Sequence, residues 1–229
     1  MERRTANGSS REEAEMTVTG RKELQHPRFA RQYLKLAEQS DRRGGAEHRH
    51  RLLAGLSGRV LEIGAGQGRN FPHYPDTVTE VVALEPDDTL RAVAEQQAAS
   101  APVRVTVVAG EAAQLPGKGG EFDAVVASLV LCSVGDLAGA LEEMARVLRP
   151  GGELRFYEHV RSPRAWVGLL EDAITPLWSR AGGGCHPNRD TEAAIRAAGF
   201  AVTDSDSFGF SPSPFIPKVR HVLGSAVRP

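Results

Sequence analysis

The chain is poor in cysteine, with only Cys132 and Cys185 among 229 residues. Two thiols cannot make the disulfide framework of a small secreted domain, and they read as reduced side chains in a cytoplasm. No metal site is expected either. Cys185 is followed directly by His186, which is not the spacing of a zinc pair, and His48 and His50 lie in an arginine-rich helical stretch. Long apolar runs are also missing. None approaches the ~20 residues a spanning helix needs, so no integral membrane segment is expected. The first 25 residues are polar and charged, without the apolar core of a signal peptide. Finally, neither sign of charge dominates: 28 Lys and Arg stand against 29 Asp and Glu, a net charge of −1. A chain this balanced has no overall basic field to recruit nucleic acid.

Glycine is plentiful, at 24 residues, and its most informative use is in residues 60–68, VLEIGAGQG. A short apolar run with one carboxylate reads as a buried parallel strand. Three glycines at alternate positions follow it at once. With no Cβ they permit a tight turn and let another molecule lie against the backbone. The spacing is G-x-G-x-G rather than the G-x-G-x-x-G of dinucleotide sites, and Glu62 stands two residues before the first glycine. Pyrophosphate binding wants bare amides and disfavours a nearby carboxylate. A ligand carrying an ammonium group suits Glu62 instead.

Taken in order, residues 1–25 read as a disordered polar tail, and 26–229 as one domain. Residues 27–56 predict two helices, broken or kinked at Gly44-Gly45 and placed to cover the acceptor side of a site. Strands are predicted at 60–63, 78–85, 103–109, 122–128 and 153–160, with a sixth beginning at Phe200 and a last at 219–227. Helical patterns separate them. Asp87 or Asp88 caps one carrying Leu90, Val93, Ala94 and Ala98 on one face, and Asp136 caps another carrying Leu137, Leu141, Met144 and Leu148. Trp166, Leu169, Leu170, Ile174, Leu177 and Trp178 read as an apolar helix with Pro176 near its end, its two tryptophans serving as core or lid packing. Strands alternating with helices make a parallel α/β sheet, and its ligand belongs beyond the strands' C-terminal ends. Those ends carry Gly64 to Gly68, Glu85, Gly110 to Ala112, Ser128 to Cys132 and Glu158-His159. Glu85 lies 23 residues past Glu62, close to the ~20 that set an acid on a ribose in doubly wound sites. His159, ending a strand on the pocket side, is the leading candidate base, followed by His186.

The signature VLEIGAGQG, the Glu85 acid, GEAAQLP at 110–116, FDAVVAS at 122–128 and RVLRPGGEL at 146–154 resembles class I S-adenosylmethionine-dependent methyltransferases. The resemblance implies a Rossmann-like seven-stranded sheet, mostly parallel with an antiparallel last strand, in three α/β/α layers. It implies S-adenosyl-L-methionine as cofactor and a small molecule as methyl acceptor. By it Glu62, Gly64, Ala65, Gly66 and Gly68 cradle the methionine moiety, with Asn70 beside them. Glu85 and Pro86 attend the ribose, Gly110, Glu111 and Ala112 the adenine, and Ser128 and Leu129 the transfer side. The stretches LVLCSV, RFYEHV and GGGCHPNRDT are similar to a narrower group, the methyltransferase-like alkyl-thiol methyltransferases, and imply a thiol acceptor. A phenol, quinone or secondary metabolite methylated on oxygen or carbon is the alternative. A nucleic-acid methyltransferase would want N-P-P-Y or D-P-P-Y after the fourth strand, where Ser128-Leu129-Val130-Leu131 stands instead.

Overall fold

The computed structural model describes residues 24–229. Residues 1–23 of the predicted tail lie outside that range. Gln25 Nε2 donates to Pro86 O at 2.7 Å and its Oε1 accepts from Asp88 N at 3.0 Å, so this residue is pinned to the loop after the second strand.

Helix α1 (Pro27–Ser40) leads through a π-helical turn (Asp41–Gly45) into α2 (Ala46–Leu53). The predicted break is there: Gly44 takes φ +120°, a conformation L side chains rarely adopt. Strand β1 (Gly58–Ile63) follows, then one 3₁₀ turn over Phe71–His73 with Pro72 in its first turn; Pro75 stops it by holding Tyr74 in extended backbone. Strand β2 (Val78–Leu84), helix α3 (Asp88–Ala98), strands β3 (Val105–Val108) and β4 (Phe122–Ser128), and helix α4 (Leu137–Val147) continue the alternation. Both helices are capped as their sequences predict. Asp87 accepts from the amides of Thr89 and Leu90, and Asp136 from that of Gly139. Strand β5 (Leu148–His159) starts five residues before its predicted beginning. Helix α5 (Ala165–Ala181), helix α6 (Thr191–Ala197), and strands β6 (Ala201–Phe210) and β7 (Val219–Val227) complete the chain.

The seven strands run in the order β3-β2-β1-β4-β5-β7-β6. The first five pair in parallel, while β7 runs antiparallel to both β5 and β6. An apolar cluster covers each face. Leu61, Ile63, Val125 and Phe156 pack with Leu141, Met144 and Val147 of α4 and Ile195 of α6. On the other face Val60, Val81, Ala83 and Val126 pack with Leu52, Leu53, Phe71 and Ala94. Strand β1 therefore alternates between two buried layers, which explains its near-continuous apolar sequence. It lies between β2 and β4, where the chain reverses its order across the sheet. The crevice outside the C-terminal ends at that point is where such sheets bind ligands.

Helix α5 forms where the apolar pattern places it, but Trp166, Leu169, Leu170, Ile174 and Leu177 are exposed, so these residues are not core. No helix of the described residues is long and apolar enough to cross a membrane.

Candidate active site

A cleft of about 390 Å³ opens at the switch point. Its floor is the glycine turn after β1. Gly64 and Gly66 take φ +62° and +59°. A Cβ on Gly64 would stand 2.5 Å from Val130 Cγ2, so no side chain fits there. Glu85, buried at the end of β2, braces the turn from the side. Its Oε2 accepts from Gly66 N at 2.7 Å and its Oε1 from Asp87 N at 2.9 Å. Burial pushes the Glu85 carboxyl up to about 7, against the two amides that favour its charged form. Pro86, Gly110, Glu111 and Ala112 form one wall and Ser128, Leu129 and Val130 another, while Phe29 and Tyr33 of α1 close the top. The buried Ser128 Oγ has no hydrogen-bond partner among the described residues, a polar atom left for whatever the cleft holds.

Nine of the thirteen cofactor residues read from the sequence line this cleft: Gly64, Gly66, Glu85, Pro86, Gly110, Glu111, Ala112, Ser128 and Leu129. Glu62, Ala65, Gly68 and Asn70 are not in its wall. Glu62 is turned to the α2 side of β1, where Asn70 Nδ2 and Tyr74 Oη donate to its two oxygens, both at 2.8 Å. Burial raises its carboxyl to about 7, against those two donors. Asn70 Oδ1 in turn accepts from Arg49 Nη1 at 2.9 Å, and Arg49 Nε donates to Asp41 at 3.2 Å. Glu62 thus sits at one end of a buried network that ties the N-terminal helices to the glycine turn. Gly68 is kept bare by Phe71, whose ring would lie 2.6 Å from a Cβ.

A second cavity, of about 260 Å³, adjoins the first and shares Phe29, Tyr33, Leu129 and Ser133 with it. Its lining is mostly apolar: Leu36, Ala37, Trp178, Phe210 and Ile216. Leu129, between the two spaces, takes φ +60°, rare and strained for a bulky residue. Its turn is held by a residue that sequence reading left without a role. The buried Glu158 carboxylate accepts from the amides of Val130, Leu131 and Cys132 at 2.9, 2.9 and 3.1 Å. An acid standing directly after the apolar Phe156-Tyr157 pair, at the C-terminal end of β5, was the available signal.

His159 lines this second cavity, as its place at the end of β5 predicts. Two thiols flank it. Its Nδ1 lies 3.5 Å from Cys132 Sγ and 3.4 Å from Cys185 Sγ, and the sulfurs are 3.6 Å apart. Of the pair, Cys132 is pushed up to about 12 by contact with Cys185 and then by burial, and Cys185 is lowered by contact with Cys132. The ring of His221 lies 4.5 Å from that of His159. Burial and then the neighbouring His159 push His221 down to about 3, so it stays neutral. His186, the second candidate base, lines neither of these two cavities. Its ring folds back on Gly184 O at 2.6 Å, and its amide donates to Cys132 O at 2.7 Å. Its part is to fasten the loop carrying Cys185 beside Cys132.

Comparison with known proteins agrees with this geometry. Residues 61–156 match the family Methyltransf_11, a methyltransferase domain. The chain is 34% identical over 186 residues to thiol S-methyltransferase TMT1B of Homo sapiens, covering 77% of this chain and 74% of that one. It is 35% identical over 124 residues to demethylmenaquinone methyltransferase of Beutenbergia cavernae, covering 52% and 50%. A SAM-dependent methyltransferase of Thermotoga maritima shares the fold at a TM-score of 0.67 and 22% identity, over 88% of this chain and 97% of that one. The glycine turn, the Glu85 carboxylate and the unpaired Ser128 Oγ fit S-adenosylmethionine, an elongated cofactor with hydroxyl and amino donors. The chain belongs to the class I S-adenosylmethionine-dependent methyltransferases, in the family that includes TMT1B.

Proposed function

We propose that this enzyme methylates the sulfur of a small apolar thiol. The observation that carries the reading is the second cavity, an apolar space that meets the cofactor cleft at Leu129 and Ser133. When bound, S-adenosylmethionine supplies a methyl group on a sulfonium centre. The residues of this chain bring the acceptor to it and keep water away. Gly64, Gly66 and Glu85 hold the donor on one side, and Phe29, Tyr33, Trp178 and Phe210 enclose an acceptor on the other. Positioning of this kind supplies several kcal/mol of a displacement barrier. A dry, apolar pocket further favours a reaction in which an anionic nucleophile and a sulfonium become two neutral thioethers.

The nature of the pocket favours sulfur over oxygen. No carboxylate lines the acceptor cavity among the described residues. His159 faces it, but its Nδ1 is engaged with two sulfurs. Thiolate sulfur is intrinsically very nucleophilic, so even a small ionised fraction of a thiol acceptor reacts, and it needs orientation more than a strong base. Phenol oxygen is a poorer nucleophile and would depend on general-base help worth about 10²–10⁴-fold. The name of TMT1B supports the thiol reading, and the shorter match to a demethylmenaquinone methyltransferase supports a quinol as the second choice. Methyl transfer from labelled cofactor across a series of thiols, phenols and amines tests the proposal. An alkyl or aryl thiol is expected to turn over fastest, and a preferred phenol or amine overturns it.

The Glu85 geometry makes a separate prediction. Each of its oxygens already takes one amide proton and keeps a lone pair for a ribose hydroxyl. Those hydroxyls bind the ionised form, so cofactor binding must expel a proton from Glu85 below about pH 7. Affinity for S-adenosylhomocysteine is expected to be flat above pH 7 and to fall below it, by at most about tenfold per pH unit for one group. Glu85→Gln should weaken binding by roughly 1.5–3 kcal/mol at pH 8 and remove the Glu85 part of the slope. Calorimetry at pH 5.5, 6.5 and 8 checks both. A variant with wild-type affinity at pH 8 would show that Glu85 only braces the turn.

A further inference from the structure

The acceptor cavity contains a group of side chains that methyl transfer as such does not require. Cys132 Sγ, Cys185 Sγ and His159 Nδ1 form a triangle with sides of 3.6, 3.5 and 3.4 Å, and all three residues line the cavity. Zinc binds thiolate at about 2.3 Å and imidazole at about 2.0–2.1 Å. On a tetrahedron those bond lengths separate two sulfurs by roughly 3.8 Å, and a sulfur from a nitrogen by roughly 3.6 Å. The three donors are therefore within about 0.2 Å of one face of a zinc tetrahedron.

Besides these mutual contacts, the triangle is held from outside. The amide of Cys132 is fixed by the Glu158 carboxylate. The loop carrying Cys185 is tied to it through His186 N and Cys132 O, and Gly183 and Gly184, at φ +62° and +89°, let that loop turn tightly. His159 closes β5 and packs on the His221 ring. Ligands fixed in this way by outer partners characterise built metal sites. Two cysteines and a histidine also suit soft or borderline metals over magnesium or calcium. Structural zinc sites carry four protein ligands, whereas three with an open fourth position make a catalytic one.

We propose that Cys132, His159 and Cys185 hold a zinc-type divalent metal whose open position faces the acceptor cavity and takes the sulfur of the acceptor. The second half of this statement rests on the thiol reading above. A thiol arriving at the metal gives its proton to water and binds as thiolate, since coordination deprotonates a thiol outright. A lone pair of that sulfur forms the new S–CH3 bond as the methyl–sulfonium bond breaks, leaving its electron pair on the donor sulfur. The neutral thioether product is a poorer ligand than the thiolate and leaves. No electrons are gained or lost.

The test uses the full chain, kept reduced with a phosphine and titrated with Co²⁺. One equivalent is expected to bind, with sulfur-to-cobalt charge-transfer absorption and the intense d–d bands of a tetrahedral site, both removed by Zn²⁺. Cys132→Ser and Cys185→Ser should each weaken metal binding by at least the roughly 10–100-fold that loss of an outer partner costs, while S-adenosylhomocysteine still binds within about twofold, showing an intact fold. Addition of an alkyl thiol should shift the d–d bands. Absence of charge-transfer absorption, or serine variants that bind cobalt like the wild type, overturns the site. Bands that no thiol moves overturn the fourth-position assignment. Full-rate thiol methylation by chelated, metal-free enzyme overturns the metal's role and leaves the thiol acceptor standing. Bands that shift with thiols that are never methylated overturn the acceptor reading instead, and with it the transfer step.

Discussion

Gly66→Val is expected to abolish binding of S-adenosylmethionine and S-adenosylhomocysteine while leaving the sheet folded. Gly66 takes φ +59°, where a β-branched residue is a genuine outlier. Its Cβ would point at Tyr33, 3.4 Å from Cε1, so the isopropyl group would occupy the gap between the glycine turn and α1. That gap is part of the cofactor cleft. The strained backbone would also turn the Gly66 amide away from Glu85, freeing a buried carboxylate oxygen. Gly66 is a better probe than Gly64, where a Cβ would meet Val130 at 2.5 Å and the fold itself would have to shift. Calorimetry should record a loss of at least about 100-fold in affinity, or roughly 2.8 kcal/mol, with near-native circular dichroism. Affinity within about threefold of wild type would remove the turn from the cofactor site.

The second large effect is expected from Arg49→Met. Arg49 is 6% exposed, and it joins Asp41 of the π-helical turn to Asn70 and, through Asn70, to Glu62. Methionine keeps much of the apolar stem and removes the guanidinium. Asp41 keeps its ion pair with Arg69, whose Nε and Nη2 lie 2.6 and 2.5 Å from Oδ2, and Asn70 Oδ1 loses the Arg49 donor. Removing one partner of a buried ion pair typically costs about 3–5 kcal/mol when the other charge is left alone, and because Arg69 still pairs with Asp41 the loss is expected toward the lower end of that range. Urea unfolding should show that loss, and Arg49→Met with Asp41→Asn should recover part of it. A cost below about 1 kcal/mol would place the pair with exposed salt bridges.

The parallel half of the sheet was legible because the chain marks it plainly. Apolar runs of strand length end at Gly64, Glu85 and Ser128, and Asp87 and Asp136 cap helices where a capping acid is wanted. The kink at Gly44 was legible for the same reason, since only glycine takes that conformation readily. The orientation of Glu62 was not. A strand buried on both faces shows no polar–apolar alternation from which to read which way one acid points. The convergence of Cys132, His159 and Cys185 was hidden too, because the residues stand 27 and 26 apart in sequence. They meet only because β4 pairs with β5, Ser128 opposite Tyr157, and because His186 ties its loop back to Cys132. In helix α5, Trp166 and Leu177 face outward, so apolar character alone did not report burial.

The most direct test of thiol methylation is a competition in one vessel. A thiol and the phenol or alcohol of the same carbon skeleton, at equal concentration, are offered to the enzyme with methyl-labelled S-adenosylmethionine at pH 7.5, and the products are separated by mass spectrometry. The geometry of the apolar cavity predicts label in the thioether, in clear excess over the ether. Label chiefly in the ether, or on ring carbon, would contradict it and pass the acceptor site to an oxygen or quinol substrate.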